Sequence, residues 1–512
     1  LATAPEARQL SDEERLAELG YKQELERRMS GFQNFAISFT IISILSGALT
    51  LYGTGINYGG PAQQAIGWPI VSVFVIIVAL SMAELASAYP TAGGLYWWAS
   101  RMGGAVWGWF TGWFNLIGQV AITAGIDYGA ATFTTALLNK VFGYSNDNHH
   151  IIYVYAAILV LHAALNIFGV RIVGILNHVS AYWHVVGVAV FAGVLIFVPD
   201  HHNSISYVFT ETVNNSGLSG IAFLFVFMLG FLQAQYTYTG YDASAHMSEE
   251  TREASKAAAK GVVNSVIVSA VAGYVLIMAL TFAITDVKAV AESGTFAAVT
   301  VLEQALGETG VELLLAIAVF GQLFCGMSAI TSASRMLYAF SRDRAVPGHG
   351  LWSKLNKQHV PANAVILIAV LAFILALPAW SGDTAFVYAA VTSIATIGLY
   401  VAYILPIYLR FRQGDQFETG PWNLGRWYKV LNVIAMIWVA FICILFILPV
   451  TDSAVPWNDG FDYKTVNYAP IVFLVVLAGV SIWWHTSAKK WFKGPIRNID
   501  DEIADPTPDV KV

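Results

Sequence analysis

The stretch from Phe223 to Thr251, FLFVFMLGFLQAQYTYTGYDASAHMSEET, limits what this chain can fold into more than any other. It opens as an apolar run suited to a membrane-crossing helix. From Gln233 it gives way to polar and aromatic residues and a glycine, before any charged cluster appears. Lipid offers the backbone no hydrogen-bond partner, so an unwound turn at that depth survives only where it is buried in protein or lines a watery cavity. The interruption therefore predicts a cavity. A second interrupted segment runs from Ser38 to Ile56, SFTIISILSGALTLYGTGI, with Ser43, Ser46 and Gly47 in its middle and Gly53 and Gly55 at its end. Two broken crossings at corresponding places in two halves of a chain point to one ligand site between them.

The rest of the chain agrees with a membrane setting. Hydrophobic residues make up 57% and charged residues 12% of the 512 positions. Mean hydropathy is +0.61, outside the soluble globular range. With about 20 apolar residues per crossing, twelve helical spans are expected, and the fold class is an all-α polytopic membrane protein. The expected limits are 32–56, 68–88, 104–136, 151–169, 177–198, 219–245, 259–284, 311–341, 361–379, 384–409, 429–449 and 467–485. The third and eighth are long enough to require tilt. With the N-terminus in the cytoplasm, 24 of the 27 Lys and Arg fall in the leading segment, the inner loops and the tail; only Lys140, Lys288 and Lys464 fall outside. This asymmetry follows the positive-inside rule and favours an even number of spans with both termini inside.

Residues 1–31 show no signal-peptide pattern, so the first span is expected to be an uncleaved anchor. Within them, Ser11 to Glu14 carries a capping box, and Leu16, Leu19 and Leu25 have roughly helical spacing. A solvated or interface-lying helix is expected there rather than a gate. The tail at 489–512 is charged and proline-bearing and is expected to be mobile. Cys325 and Cys443 lie inside apolar runs and read as packing residues.

Ionisable residues inside spans are costly and are functional candidates by default. They are Glu84 in span 2, Asp127 in span 3, His162 in span 4, His178 and His184 in span 5, and Asp242 just past the break in span 6, with Arg335 near one end of span 8. Broken helices add a second kind of group. The start of a half-helix presents free N–H groups to an anion, and the end of one presents carbonyls to a cation. The amides of Leu45, Ser46, Gly47 and Ala48 are thus expected to face a carboxylate, and the carbonyls of Tyr236, Thr237 and Tyr238 an ammonium group. An amino acid carries both charges. Tyr236, Tyr238 and Tyr241, with Trp68 and Trp113, could instead build an aromatic cage for a quaternary ammonium, although most of so many aromatics pack or anchor at the interface.

The segments Phe32 to Gly59, Ser81 to Ser100 (SMAELASAYPTAGGLYWWAS), Tyr236 to Thr251 and Ser332 to Trp352 (SASRMLYAFSRDRAVPGHGLW) resemble the amino acid/choline transporter branch of the amino acid-polyamine-organocation superfamily. The resemblance implies a leucine-transporter-like core with discontinuous helices 1 and 6. Spans 1 to 5 (32–198) and 6 to 10 (219–411) would form inverted repeats, with spans 11 and 12 (429–488) peripheral. It implies secondary transport of amino acids, GABA, polyamines or choline, commonly driven by protons. It places the carboxylate-binding turn at Ile44 to Ala48, an aromatic gate at Tyr236, and the family's glycine, hydrophobe and acid at Gly240, Tyr241 and Asp242. Relatives often carry a buried lysine in span 5; matching NHVSAYWH from Asn177 puts His184 there, a side chain that titrates nearer neutrality.

The expected function is alternating-access transport of an amino acid or small zwitterionic amine across the plasma (inner) membrane, with H+ as coupling ion, and with His184, Asp242, Glu84 and Asp127 as coupling or gating residues. Polyamine or choline transport, Na+ coupling through hydroxyls such as Ser43 and Thr331, and exchange are the alternatives within transport. A channel or receptor is the alternative outside it. A polyamine would want several carboxylates in the cavity, and a channel a ring of repeated polar positions. No cofactor, phosphate loop or nucleic-acid face is expected, nor a metal at His149-His150 or His201-His202, which lack evident acidic or cysteine partners.

Overall fold

The computed structural model describes residues 11–23, 27–216, 220–382 and 384–496. Among these the chain is helical, and the one extended pairing is an isolated bridge between Met29 and Thr251. Ten helices are long and apolar enough to cross a membrane, counting Gly31–Thr50 as one. Two further helices lie where spans 6 and 3 were expected: the shorter apolar Ile221–Thr237 and the 38-residue Ala105–Phe142. The long third and eighth helices occur as read, the eighth as Glu308–Arg342. Span 2 starts earlier than expected, at Gly60, because Pro61 fits a first helical turn that lacks N–H partners anyway. Span 5 likewise starts at Val170.

Both predicted interruptions are present. Span 1 runs as Gly31–Ile42, breaks at Ser43, whose φ is 32°, and resumes at Gly47. Span 6 runs to Thr237 and resumes as Ala243–His246. Within its break, Gly240 has φ 97°, a conformation that a side chain would strain.

Spans 3 and 10 hold these breaks from one side. They approach at Gly118 and Gly398, where a Cβ on Gly398 would lie 2.8 Å from the Gly118 nitrogen. Small residues allow such close backbone contact between apolar helices. The approach brings Gln119 and Tyr403 to the same carboxylate, that of Asp242.

The leading segment corrects one expectation. The capping box forms as read, with Ser11 and Glu14 around Asp12–Glu18, but this short helix is docked rather than solvated. Leu16 is buried. The Asp12 carboxylate accepts from Glu253 N (2.7 Å) and Ala254 N (2.9 Å), at the start of the seventh span. Arg27 donates to the carbonyls of Ser248 (3.0 Å) and Thr251 (2.6 Å). Leu25 and residues 497–512 of the tail lie outside the described residues. The side carrying this helix is called the N-terminal face below.

Candidate functional site at the two helix breaks

The breaks meet directly. A Cβ on Gly47 would lie 2.5 Å from Thr237 Oγ1 and 2.9 Å from Thr237 Cα, so span 1 rests on the backbone of span 6. Gln233 Nε2 donates to Ala48 O across the junction (2.9 Å). Ile41, Ile42, Ser46, Gly47, Ile122, Tyr236 and Thr237 line a gap here with no room for a water molecule. The expected open cavity is therefore closed in this conformation. One space, about 270 Å³, lies toward the face opposite the N-terminal helix and is lined by residues including Thr50, Asn57 and Tyr388. A second space, about 160 Å³, lies on the N-terminal face beside Gln33, Asn177, Glu250 and Arg335. The breaks thus sit as a plug between two vestibules.

Backbone groups at the breaks are only partly free. Ser46 N and Gly47 N both turn back to Ser43 O (2.7 and 3.2 Å), while Ile44 N and Leu45 N make no hydrogen bond among the described residues. Leu45 O is taken by Gln322 Nε2 (3.0 Å) and Ile41 O by Cys325 Sγ (3.1 Å). In span 6, Tyr236 O accepts from both N (2.9 Å) and Oγ1 (2.6 Å) of Thr239, which leaves the Thr237 and Tyr238 carbonyls. The Ser46 hydroxyl is buried without a hydrogen-bond partner. Unpaired amides next to unpaired carbonyls suit a molecule with one carboxylate and one ammonium group.

The tyrosines do not form a cage. Tyr236 packs on Gly125 at the junction. Tyr238 turns away, its ring 5.0 Å from Trp68 and its hydroxyl on Ser72 (2.5 Å). Tyr241 joins Tyr400 and Tyr403, and Trp113 lies in a separate cluster with Trp109 and Phe340. The reason is the break itself: the helix ends at Thr237 and Gly240 takes a positive φ, so Tyr238 and Tyr241 do not keep the common face that three-residue spacing gives on a helix.

The ionisable candidates separate into distinct pairs. Glu84 is fully buried against Arg410, with Nε to Oε2 at 2.9 Å, and the guanidinium lies between Phe417 and Tyr428. This pair ties span 2 to span 10, away from the breaks. Asp127 pairs with His162 (3.1 Å) between spans 3 and 4. His184 bonds Ser43 Oγ through Nε2 (2.8 Å) and Ser180 O through Nδ1 (2.8 Å), so it supports the first break. Asp242 is engaged through both oxygens: Oδ1 accepts from Tyr403 (2.7 Å), and Oδ2 faces Gln119 Nε2 (3.3 Å) and His246 Nε2 (3.2 Å). On the N-terminal face, burial lifts the Glu250 carboxyl above its ordinary range, opposed by the nearby Arg335. At the start of span 4 Asp147 lies 2.8 Å from His150, an acidic partner the sequence reading overlooked.

Gln322, Arg410 and His246 escaped the sequence reading, which took Gln233 only as the start of the interruption and Cys325 as a packing residue. Only His246 carried a visible signal, since it stands four residues after Asp242 and so shares its helical face.

The amino acid permease family matches residues 29–477 of the chain. Over 96% of its length the chain is 40% identical to the amino-acid permease BAT1 of Arabidopsis thaliana, covering 97% of that protein. It is 41% identical to the BAT1 homolog of Oryza sativa subsp. japonica, over 95% of this chain and 96% of that one. A more distant relative is the GABA-specific permease of Saccharomyces cerevisiae, 29% identical over 97% of this chain and 88% of the permease. The chain belongs to the amino acid permease family of the amino acid-polyamine-organocation superfamily, and it is a multi-pass membrane transporter of amino acids or related amines.

Proposed function

We propose that this permease is a secondary active carrier of a small zwitterionic amino acid or GABA-like amine. It works by alternating access and proton coupling, with twelve spans in a 5+5 inverted repeat and both termini in the cytoplasm. The plasma membrane is its proposed site. One observation supports this most: the two interrupted spans touch at Gly47 and Thr237, with vestibules on either side. Rocking the spans apart on one side opens the junction to that side alone, while the unpaired Ile44 and Leu45 amides and Thr237 and Tyr238 carbonyls grip opposite ends of one ligand. The family names of the relatives, including the GABA-specific permease, support the substrate class.

Polyamines fit less well, because Asp127 and Asp242 are already engaged by His162 and by Tyr403 and His246. Choline fits less well because the aromatic rings diverge. Protons are favoured over sodium by the buried histidines at the two breaks, His184 on Ser43 and His246 on Asp242. Purified protein in liposomes, tested with radiolabelled amino acids, GABA, choline and putrescine under separate proton and sodium gradients, checks the proposal. Uptake of an amino acid or GABA under an inward proton gradient is expected. Uptake of putrescine or choline alone, or strict sodium dependence, would overturn it.

A further inference from the structure

We propose that Asp242 and His246 share one exchangeable proton, and that this proton latches the C-terminal half of span 6 to the N-terminal face. The proposal deepens the carrier reading above and rests on it for its role in transport. Both side chains are essentially unexposed. His246 Nε2 lies 3.2 Å from Asp242 Oδ2, and Nδ1 lies 3.1 Å from the carbonyl oxygen of Ala92, in the loop after span 2. A carbonyl can only accept, so Nδ1 carries a proton. Between Nε2 and the carboxylate oxygen a hydrogen bond then requires one more proton, whether it resides on the ring or on the acid. The pair therefore holds a proton beyond those of a neutral imidazole and a carboxylate.

Neither of the other buried histidines makes that demand. His184 Nδ1 faces the Ser180 carbonyl, but its Nε2 faces the Ser43 hydroxyl, which can donate, so a neutral ring satisfies both bonds. His162 directs only Nδ1 at Asp127, and a neutral ring suffices there too. Around the latch, the titratable groups are Tyr241 on its own segment and Tyr400 and Tyr403 from span 10. Span 3 contributes the uncharged Gln119. The loop contributes Ala92, whose N–H is held by Glu249 Oε1 (2.8 Å). Glu84 and Arg410 are occupied with each other. No cation in this set replaces the proton.

The loop sits tightly on the ring: a Cβ on Gly94, whose φ is +50°, would lie 2.9 Å from the imidazole. When the proton leaves to water on the N-terminal face, the one proton left on the ring is held on Nε2 by the carboxylate, the stronger acceptor, so the bare Nδ1 lone pair faces the Ala92 carbonyl and the bond to the loop becomes a repulsion. Span 6 is then released from the loop, and the adjoining half of span 1, bound to span 6 through Ser38 and Ser244 (2.7 Å), is free to move with it. His184 is, on this account, a positioning residue for the first break.

A cysteine at the buried Ala36, which lines the vestibule on the N-terminal face, reports opening without any substrate. Ala36→Cys in the full chain, in membrane vesicles with that face outward, is labelled with an impermeant maleimide and compared with the unsubstituted chain. Each rate is divided by that of the same cysteine in the denatured chain at the same pH, which removes the thiolate's own pH dependence; the normalised labelling is expected to run about threefold or more faster at about pH 8 than at about pH 6. Adding His246→Gln should remove that pH dependence, and adding His184→Gln should leave it. The same pH dependence in the His246→Gln background, or none in Ala36→Cys itself, would overturn the latch. Failure of every amino acid and of GABA to enter liposomes would instead sink the carrier reading, and the labelling result would still decide the latch. Detergent-solubilised His246→Gln that elutes as a single folded species distinguishes loss of the switch from loss of the fold.

Discussion

In span 1 the interruption at Ser43 to Ser46 is held from outside, by His184 on Ser43, Gln322 on Leu45 O, Gln233 on Ala48 O and Cys325 on Ile41 O. In span 6 more of the bracing comes from the segment itself, where Thr239 caps Tyr236 O, Thr237 Oγ1 returns to Gln233 O and Gly240 takes the positive φ; from outside, Ser38 holds Tyr241 O and Ser72 meets the Tyr238 hydroxyl. The difference separates two duties. A break braced by several neighbouring spans keeps its amides in one place, which suits recognition of a fixed carboxylate. A break shaped more by its own residues, with the Asp242 and His246 pair beside it, can change partners when a proton arrives or leaves.

Four substitutions sharpen that contrast, from the largest expected effect to the smallest. Gly47→Val should abolish uptake, since a Cβ alone already collides with the Thr237 backbone and no side-chain rotation relieves it. Surface expression should survive, and loss of expression together with transport would count against a local effect. Gln322→Leu strips the donor from a buried carbonyl, a cost of about 1–3 kcal/mol, and should lower the apparent affinity for the transported amine by roughly tenfold, measured as KM in liposomes. His184→Ala should slow uptake by only about threefold, because a neutral brace is lost and water can reach Ser43. Its accumulation should still follow the imposed pH gradient, and an uptake that ignores the gradient would move the coupling proton from the sixth span to the fifth.

The last is a control remote from both breaks. Asp343, next to the described C-terminal residues, accepts from Ile496 N (3.0 Å), and burial raises its carboxyl to about 7. A carboxyl with a folded-state pKa above its unfolded value favours the fold most when protonated. That contribution is complete below the ordinary carboxylate pKa of about 4 and is lost as pH rises through about 7. Asp343→Asn should flatten the fall in Tm across that window and leave uptake unchanged. An unaltered slope would exclude Asp343 as its source.

Much of this architecture is legible in the sequence because the bilayer leaves few choices. Polar and glycine residues in mid-span cannot remain as unpaired backbone facing lipid, so both breaks were readable to within a few residues. The capping box at Ser11 was equally local. Its docking on Glu253 and Ala254 was not, because that contact joins residues more than 200 positions apart. The aromatic residues misled for a related reason. Tyr236, Tyr238 and Tyr241 are close in sequence but face Gly125, Ser72 and Tyr403.

The sequence by itself determined that this chain crosses a membrane repeatedly, where two of its helices come undone, and which few ionisable groups are buried with them. Each follows from the cost of placing an unpaired polar group in hydrocarbon, a cost that acts residue by residue. Tertiary structure alone decided the partners: that Glu84 answers Arg410, that Asp127 answers His162, and that Asp242 is engaged by Tyr403, Gln119 and His246. Hydrogen bonds and ion pairs act over a few ångströms, and only the packing of distant spans brings those atoms within reach.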